Sequence, residues 1–118
     1  EHLRLSDTMM TLDGYWSGGN THMADGLFAY APSQKVMAEA DMATAARDFQ
    51  FWPDNYMDVI ERYTLDVETL SGVHMAPMKH TDVIALIKEG VARARQRCAE
   101  ELAKGSYFAG CPVQTKRY

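Results

Sequence analysis

Leu27-Phe28-Ala29-Tyr30-Ala31-Pro32-Ser33-Gln34-Lys35-Val36-Met37-Ala38-Glu39-Ala40-Asp41 reads as strand, turn and strand, with Pro32-Ser33-Gln34 as the punctuation. The same rhythm extends upstream. Thr8 to Leu12 and Tyr15 to Ser17 flank Asp13-Gly14, a dipeptide favoured in two-residue hairpin loops because both positions accept φ > 0. A Gly-Gly-Asn stretch then leads to His22, and Asp25-Gly26 supplies the next turn. Strand, turn, strand, turn, strand predicts an antiparallel meander for the first third of the chain.

Downstream the periodicity changes to that of helices. Pro53 suits a first helical turn, where its missing N–H costs nothing. Tyr56, Met57, Ile60 and Tyr63 then fall on one face, and Asp58 and Arg62 are spaced to pair. Leu70 to Val73 is long enough for one buried strand, ending at His74. From Thr81, read as an N-cap, Val83, Ile84, Ile87, Val91, Ala94, Cys98 and Leu102 form a stripe that continues across Gly90. One long helix and two helices with a bend at Gly90 both fit. The class is α+β: an antiparallel strand meander followed by helices. Its segments are a meander, helix and strand over residues 1–78, a helical segment over 79–104 and an irregular tail over 105–118.

Composition narrows the function classes. With 118 residues, 47% of them hydrophobic, the chain is one domain or part of one and has apolar material for a core. A net charge of -4 argues against a nucleic-acid partner. No apolar run approaches the roughly 20 residues a membrane span needs. The chain opens at Glu1 with neither an initiator Met nor a signal-like segment, which suggests a processed or cut terminus and leaves the compartment unread. Cys98 and Cys111 lack Cys-x-x-Cys spacing. A bridge between them requires the tail to fold back, and two unpaired thiols are the simpler expectation.

Three residues stand out by position: His22 after a Gly-rich strand end, Asp41 closing a strand, and His74 closing another before a Pro-containing loop. Groups at strand ends can converge on one edge of a sheet, and two imidazoles with a carboxylate suit Zn²⁺ or a similar ion. Taken singly, each residue is as well explained as a turn former or cap. Elsewhere the plainer readings hold. His80 and His2 fit a helix start and a chain end, and Asp13 and Asp25 fit turns. Trp16, Trp52, Phe49 and Phe51 suit a core as well as a pocket wall, and the eight methionines suit adaptable packing. Lys88, Arg93, Arg95 and Arg97, offset by Glu89, Glu100 and Glu101, make a solvated helix face.

The ordered set Gly19-Asn20-Thr21-His22, Leu27 to Asp41, and Thr69-Leu70-Ser71-Gly72-Val73-His74 resembles the second half of the metallo-β-lactamase superfamily, over roughly Met10 to Ile87. The resemblance implies half of an αββα sandwich. It also implies a metal-dependent hydrolase with two divalent ions, zinc the best suited, acting on a small-molecule substrate. His22 would bind one ion, Asp41 would bridge the two, and His74 would bind the second. Two departures stand out. The family's His-x-His-x-Asp-His motif is absent, and Met75 follows His74 where a Gly is usual.

The implied site is therefore incomplete without an N-terminal segment. A lone half would also leave apolar residues bare at alternate positions of Met9–Leu12, Leu27–Tyr30 and Val36–Ala40. The expected partner is the N-terminal half of the same fold or a second copy of this chain. Two alternatives stand beside this reading. One is a non-catalytic assembly module that retains the half-fold. The other is a small α+β barrel using Asp41 and a His as an acid–base pair, which the opening strand meander disfavours.

Overall fold

A computed structural model of the chain describes residues 2–18, 26–40 and 54–106. Six strands form one mixed sheet in sequence order: β1 (His2–Ser6), β2 (Thr11–Trp16), β3 (Leu27–Ala31), β4 (Val36–Glu39), β5 (Thr69–Gly72) and β6 (Met78–Lys79). The first four are antiparallel neighbours, β5 joins β4 in parallel, and β6 returns antiparallel to β5. Parallel neighbours need a crossover, and α1 (Asp54–Tyr63) lies within it; α2 (His80–Ala103) follows β6. The α+β class and the meander hold.

The register separates the sheet into two chemically different faces. Asp13 faces Tyr30, Tyr15 faces Phe28, Tyr30 faces Met37, and Met37 faces Leu70. Tyr15, Phe28, Tyr30, Met37 and Leu70 are buried with Tyr56 and Val59 of α1 and Val83, Ile87 and Val91 of α2 in one core. Both helices therefore cover the same face. On the opposite face Leu3 is 63% exposed, Leu5 59%, Trp16 47% and Leu27 70%. Period-two alternation normally places polar residues on a solvated face; here the uncovered face is apolar.

The first hairpin differs from its sequence reading. Asp13-Gly14 lies inside β2, and the turn falls at residues 7–10, where Asp7 Oδ1 accepts from Met9 N–H at 2.7 Å and Met10 N–H at 2.8 Å. This Asp-centred turn does the work expected of Asp-Gly. It frees Asp13 to be buried, 1% exposed, and to accept two hydrogen bonds from Arg4 Nε and Nη2, each at 2.7 Å. The Arg4 hydrogen bonds hold the Asp13 carboxyl below the usual carboxylate range against the opposing effect of burial. Strand β1, unread in the sequence because its alternation is short, is the donor of that arginine.

Both helices end in left-handed reversals. Thr64 takes φ 53° after α1, and Gly105 takes φ 73° after α2. Gly105 N–H reaches Leu102 O and Ser106 N–H reaches Glu101 O, each at 3.0 Å, the Schellman pattern. Helix α2 is continuous through a buried Gly90 and begins at His80, with no side-chain cap on its N-cap residue Lys79, so the Thr81 cap is not formed. Cys98 is disulfide-bonded, which corrects the expectation of an unpaired thiol. Cys111, the only other cysteine in the chain, lies outside the described residues.

The helices are also joined by one polar contact. Burial, aided by the Glu39 charge, pushes the Tyr56 phenol well above its ordinary range, so it stays protonated. Its hydroxyl lies 2.8 Å from His80 Nδ1, within hydrogen-bond distance, and the imidazole tautomer sets which of the two donates. Burial lowers the His80 pKa. A histidine that is harder to protonate in the folded protein adds stability that is present above its unfolded pKa, about 6.5. That stability is lost as pH falls toward the lower folded value. Urea unfolding should show stability dropping between pH 7 and pH 5, with a flatter profile in His80→Gln. Tyr56→Phe should cost about 0.5–1.5 kcal/mol at pH 7.

Candidate metal centre

The sheet brings three chain reversals to one end. β2 ends beside the start of β3, with Trp16 opposite Leu27, and β4 ends beside the end of β5, with Glu39 opposite Gly72. Because β3 is antiparallel to β4, the ends of β2, β4 and β5 open on the same side. These are the strands leading to His22, Asp41 and His74. His74 is exposed in the turn after β5. His22 and Asp41 lie outside the described residues, although Asp41 directly follows Ala40, the last residue described after β4. Among the described residues no group of three His, Cys, Asp or Glu side chains is placed to hold a metal ion.

The turn carrying His74 is tightly specified. Val73 N–H donates to Glu39 O at 3.1 Å, extending the parallel pairing one residue past β5, and Met75 N–H donates to Gly72 O at 3.4 Å to close the turn. This places the peptide just before His74 against the chain two residues before Asp41. A Cβ on Gly72 would lie 2.6 Å from Met75 Cγ and 2.8 Å from Glu39 Oε1. The absence of a side chain there lets Met75 fold back over the strand and lets the buried Glu39 carboxylate sit beside it. Met75 does not adopt positive φ, so the position after His74 accepts a side chain without backbone conflict.

The segment containing His22 is tied at both ends. Ser17 donates to Gly26 O through its backbone N–H at 2.9 Å and its hydroxyl at 3.0 Å. Asn55, buried on α1, donates through Nδ2 to Ser17 O at 3.1 Å and to Gly18 O at 2.8 Å. Arg62 and Tyr63 add contacts to Ser17 O and Trp16 O, each at 3.4 Å. Gly18 takes φ 57°, and a Cβ there would come within 2.9 Å of the Trp16 ring. The Gly-rich run before His22 thus begins with a glycine that both the backbone and its neighbour require. Asn55 went unrecognised in the sequence because a single Asn in the first turn of a helix resembles any polar helix start. Arg62, read as the partner of Asp58, instead reaches back to the sheet.

No family model matches the chain, and no curated protein matches it. Among solved structures it is similar to a metallo-beta-lactamase from Pontibacter korlensis, with a TM-score of 0.55 and 19% sequence identity over 76% of this chain. The match spans 46% of that protein's length, so this chain corresponds to about half of it. At this identity the likeness shows the fold, a partial metallo-β-lactamase-like architecture.

Removing the Asn55 side chain would leave two backbone carbonyls without their buried donor. Asn55→Ala should destabilise the native protein by about 1–3 kcal/mol in urea unfolding. Hydrogen exchange should rise first at the amides of Trp16 to Gly18. Equal exchange throughout the sheet would mean that Asn55 does not specifically hold the strand end.

Proposed function

We propose that this chain is the C-terminal half of a metal-dependent hydrolase, with His22, Asp41 and His74 as its contribution to a site for two divalent ions, zinc the best suited. The observation carrying this reading is that the strands leading to all three residues end on one side of the sheet, in a fold shared with a metallo-beta-lactamase. The donor set fits: imidazole nitrogens are strong zinc ligands, and a carboxylate with two oxygens can reach two ions. When bound, such ions supply Lewis-acid polarisation and a more acidic water for hydrolysis of a small-molecule substrate. This chain's part is to orient its ligands. The Gly72–Met75 turn positions His74, and the Asn55 clamp positions the neck of the segment containing His22.

The chain has no His-x-His-x-Asp-His motif, so the remaining ligands and the water-orienting carboxylate would come from an N-terminal half. A non-catalytic assembly module is the second reading, supported by the exposed Leu3, Leu5, Trp16 and Leu27 on one face of the sheet.

Elemental analysis and calorimetric titration with zinc separate the two. The hydrolase reading expects zinc binding that weakens at least tenfold in each of His22→Ala, Asp41→Asn and His74→Ala, with little ester or lactam hydrolysis by the chain alone. Adding a segment that carries the missing motif should restore turnover. Zinc binding indifferent to all three substitutions would favour the assembly module. Robust hydrolysis by the isolated chain would show that it builds a working site by another route.

A further inference from the structure

Strand β1 is an edge of the sheet, paired only with β2 among the described residues. The hairpin shows which of its main-chain groups are unused. Asp7 N–H donates to Met10 O at 3.0 Å, so residue 7 turns its peptide groups toward its partner. In an antiparallel ladder this orientation alternates, and Leu5 and Leu3 turn theirs to β2 as well. Ser6, Arg4 and His2 therefore present N–H and C=O groups to the open edge. The next pairing agrees. Ser17 N–H donates to Gly26 O at 2.9 Å, and the same alternation directs Asp13, opposite Arg4, away from β1 and toward β3. Such an edge is a template for another strand unless proline, a bulge or a charged side chain blunts it. β1 has no proline and pairs with β2 residue for residue along its whole length. Its one formally charged side chain, Arg4, is drawn back over β2, where Nε and Nη2 donate to the buried Asp13. The contact that ties the strand to β2 thus also removes the charge that would guard its edge.

We propose that β1 is the surface through which two copies of this chain pair, antiparallel about a two-fold axis at Arg4, joining their sheets edge to edge. This goes beyond the proposed function and is independent of its metal chemistry. The strand's own sequence selects this occupant, because His2-Leu3-Arg4-Leu5-Ser6 is apolar at both positions flanking its centre. Pairing centred on Arg4 places Leu3 of each copy opposite Leu5 of the other, at the non-hydrogen-bonded positions where side chains lie closest. His2 falls opposite Ser6 and Arg4 opposite Arg4, so every outward N–H and C=O of both strands meets its complement. Leu3 and Leu5 are 63% and 59% exposed in the single chain, and the pairing withdraws part of that surface from water. The facing Arg4 side chains do not meet as free cations, since each holds its own Asp13 carboxylate at 2.7 Å. An isologous contact of this kind closes after two copies.

The test is cysteine cross-linking in the polypeptide as its gene encodes it. Leu3→Cys and Leu5→Cys are prepared separately and oxidised alone or mixed. The register puts position 3 directly opposite position 5 of the other copy, within disulfide reach, whereas 3 and 3, or 5 and 5, lie a diagonal apart and beyond it. The mixture should yield covalent dimer about tenfold more readily than either variant alone. Ser6→Pro removes an outward N–H and is a substitution that edge strands tolerate. It should weaken the dimer about tenfold in light scattering, the worth of one or two main-chain hydrogen bonds, with the circular dichroism unchanged. If Ser6→Pro does not fold, the cross-linking comparison decides. A monomer at high micromolar concentration would overturn the proposal. So would equal cross-linking in mixed and unmixed samples, or a dimer that a folded Ser6→Pro leaves intact, since either places the contact elsewhere. Zinc or a chelator should change none of these readouts, whereas failure of the metal reading would appear in zinc binding alone.

Discussion

Everything in this fold depends on a sheet whose two faces are both apolar but only one of which the described residues cover. Alternation assigns Tyr15, Phe28, Tyr30, Met37 and Leu70 to the helix side, where α1 and α2 bury them. The other parity carries Leu3, Leu5, Trp16 and Leu27 at 47–70% exposure. Because a strand's period is two, no shift of register can hide the second set without exposing the first. In the half-sandwich reading the cover comes from elsewhere. At about 25 cal/mol per Å², covering about 800 Å² of such surface is worth about 20 kcal/mol before association costs. That exceeds the roughly 5–15 kcal/mol net stability of a typical domain.

The same constraint ties stability to the candidate site. A second layer would hold the sheet flat from the open side, while the helices hold it from the other through Tyr56–His80 and Asn55. The sheet end where β2, β4 and β5 finish is then a rigid rim, and rigid rims are where ligand groups can be held in place. Gly72 and Gly18 belong to this rim for different reasons. Gly72 makes room for Glu39 and Met75, whereas Gly18 supplies a left-handed backbone next to the Trp16 ring. The Arg4–Asp13 pair keeps the outermost strand attached without a helix above it.

Much of this was legible in the sequence where the pattern was long. Leu27 to Glu39 carried its two strands and the turn at Pro32–Gln34. The stripe from Val83 to Ala94 carried α2, while its unbroken passage through Gly90 was one of two readings left open. The misreadings have physical causes. Asp13-Gly14 has the composition of a hairpin loop, but a partner charge at Arg4 made burial of Asp13 favourable, and that partner is visible only in the paired strands. β6 is two residues long, too short for periodicity. Thr81 has the chemistry of an N-cap, yet His80 begins the helix because Tyr56 holds its ring and Glu68 O accepts its backbone N–H at 2.9 Å. The bonded state of Cys98 has no signal in the spacing of the two cysteines. His74 was legible as a strand-end residue, while His22 and Asp41 fall outside the described residues, so only the strands leading to them bear on the site.

The claim that this chain is one half of a two-layer sandwich meets its most direct test in the solution state of the 118 residues by themselves. Light scattering combined with a thermal melt at micromolar concentration reads both mass and cooperativity. The account predicts self-association or a broad, non-cooperative transition, because among the described residues nothing covers the Leu3–Trp16–Leu27 face. A compact monomer with a single sharp transition would mean that the sheet is stable with that face in water, and the half-sandwich reading would be wrong.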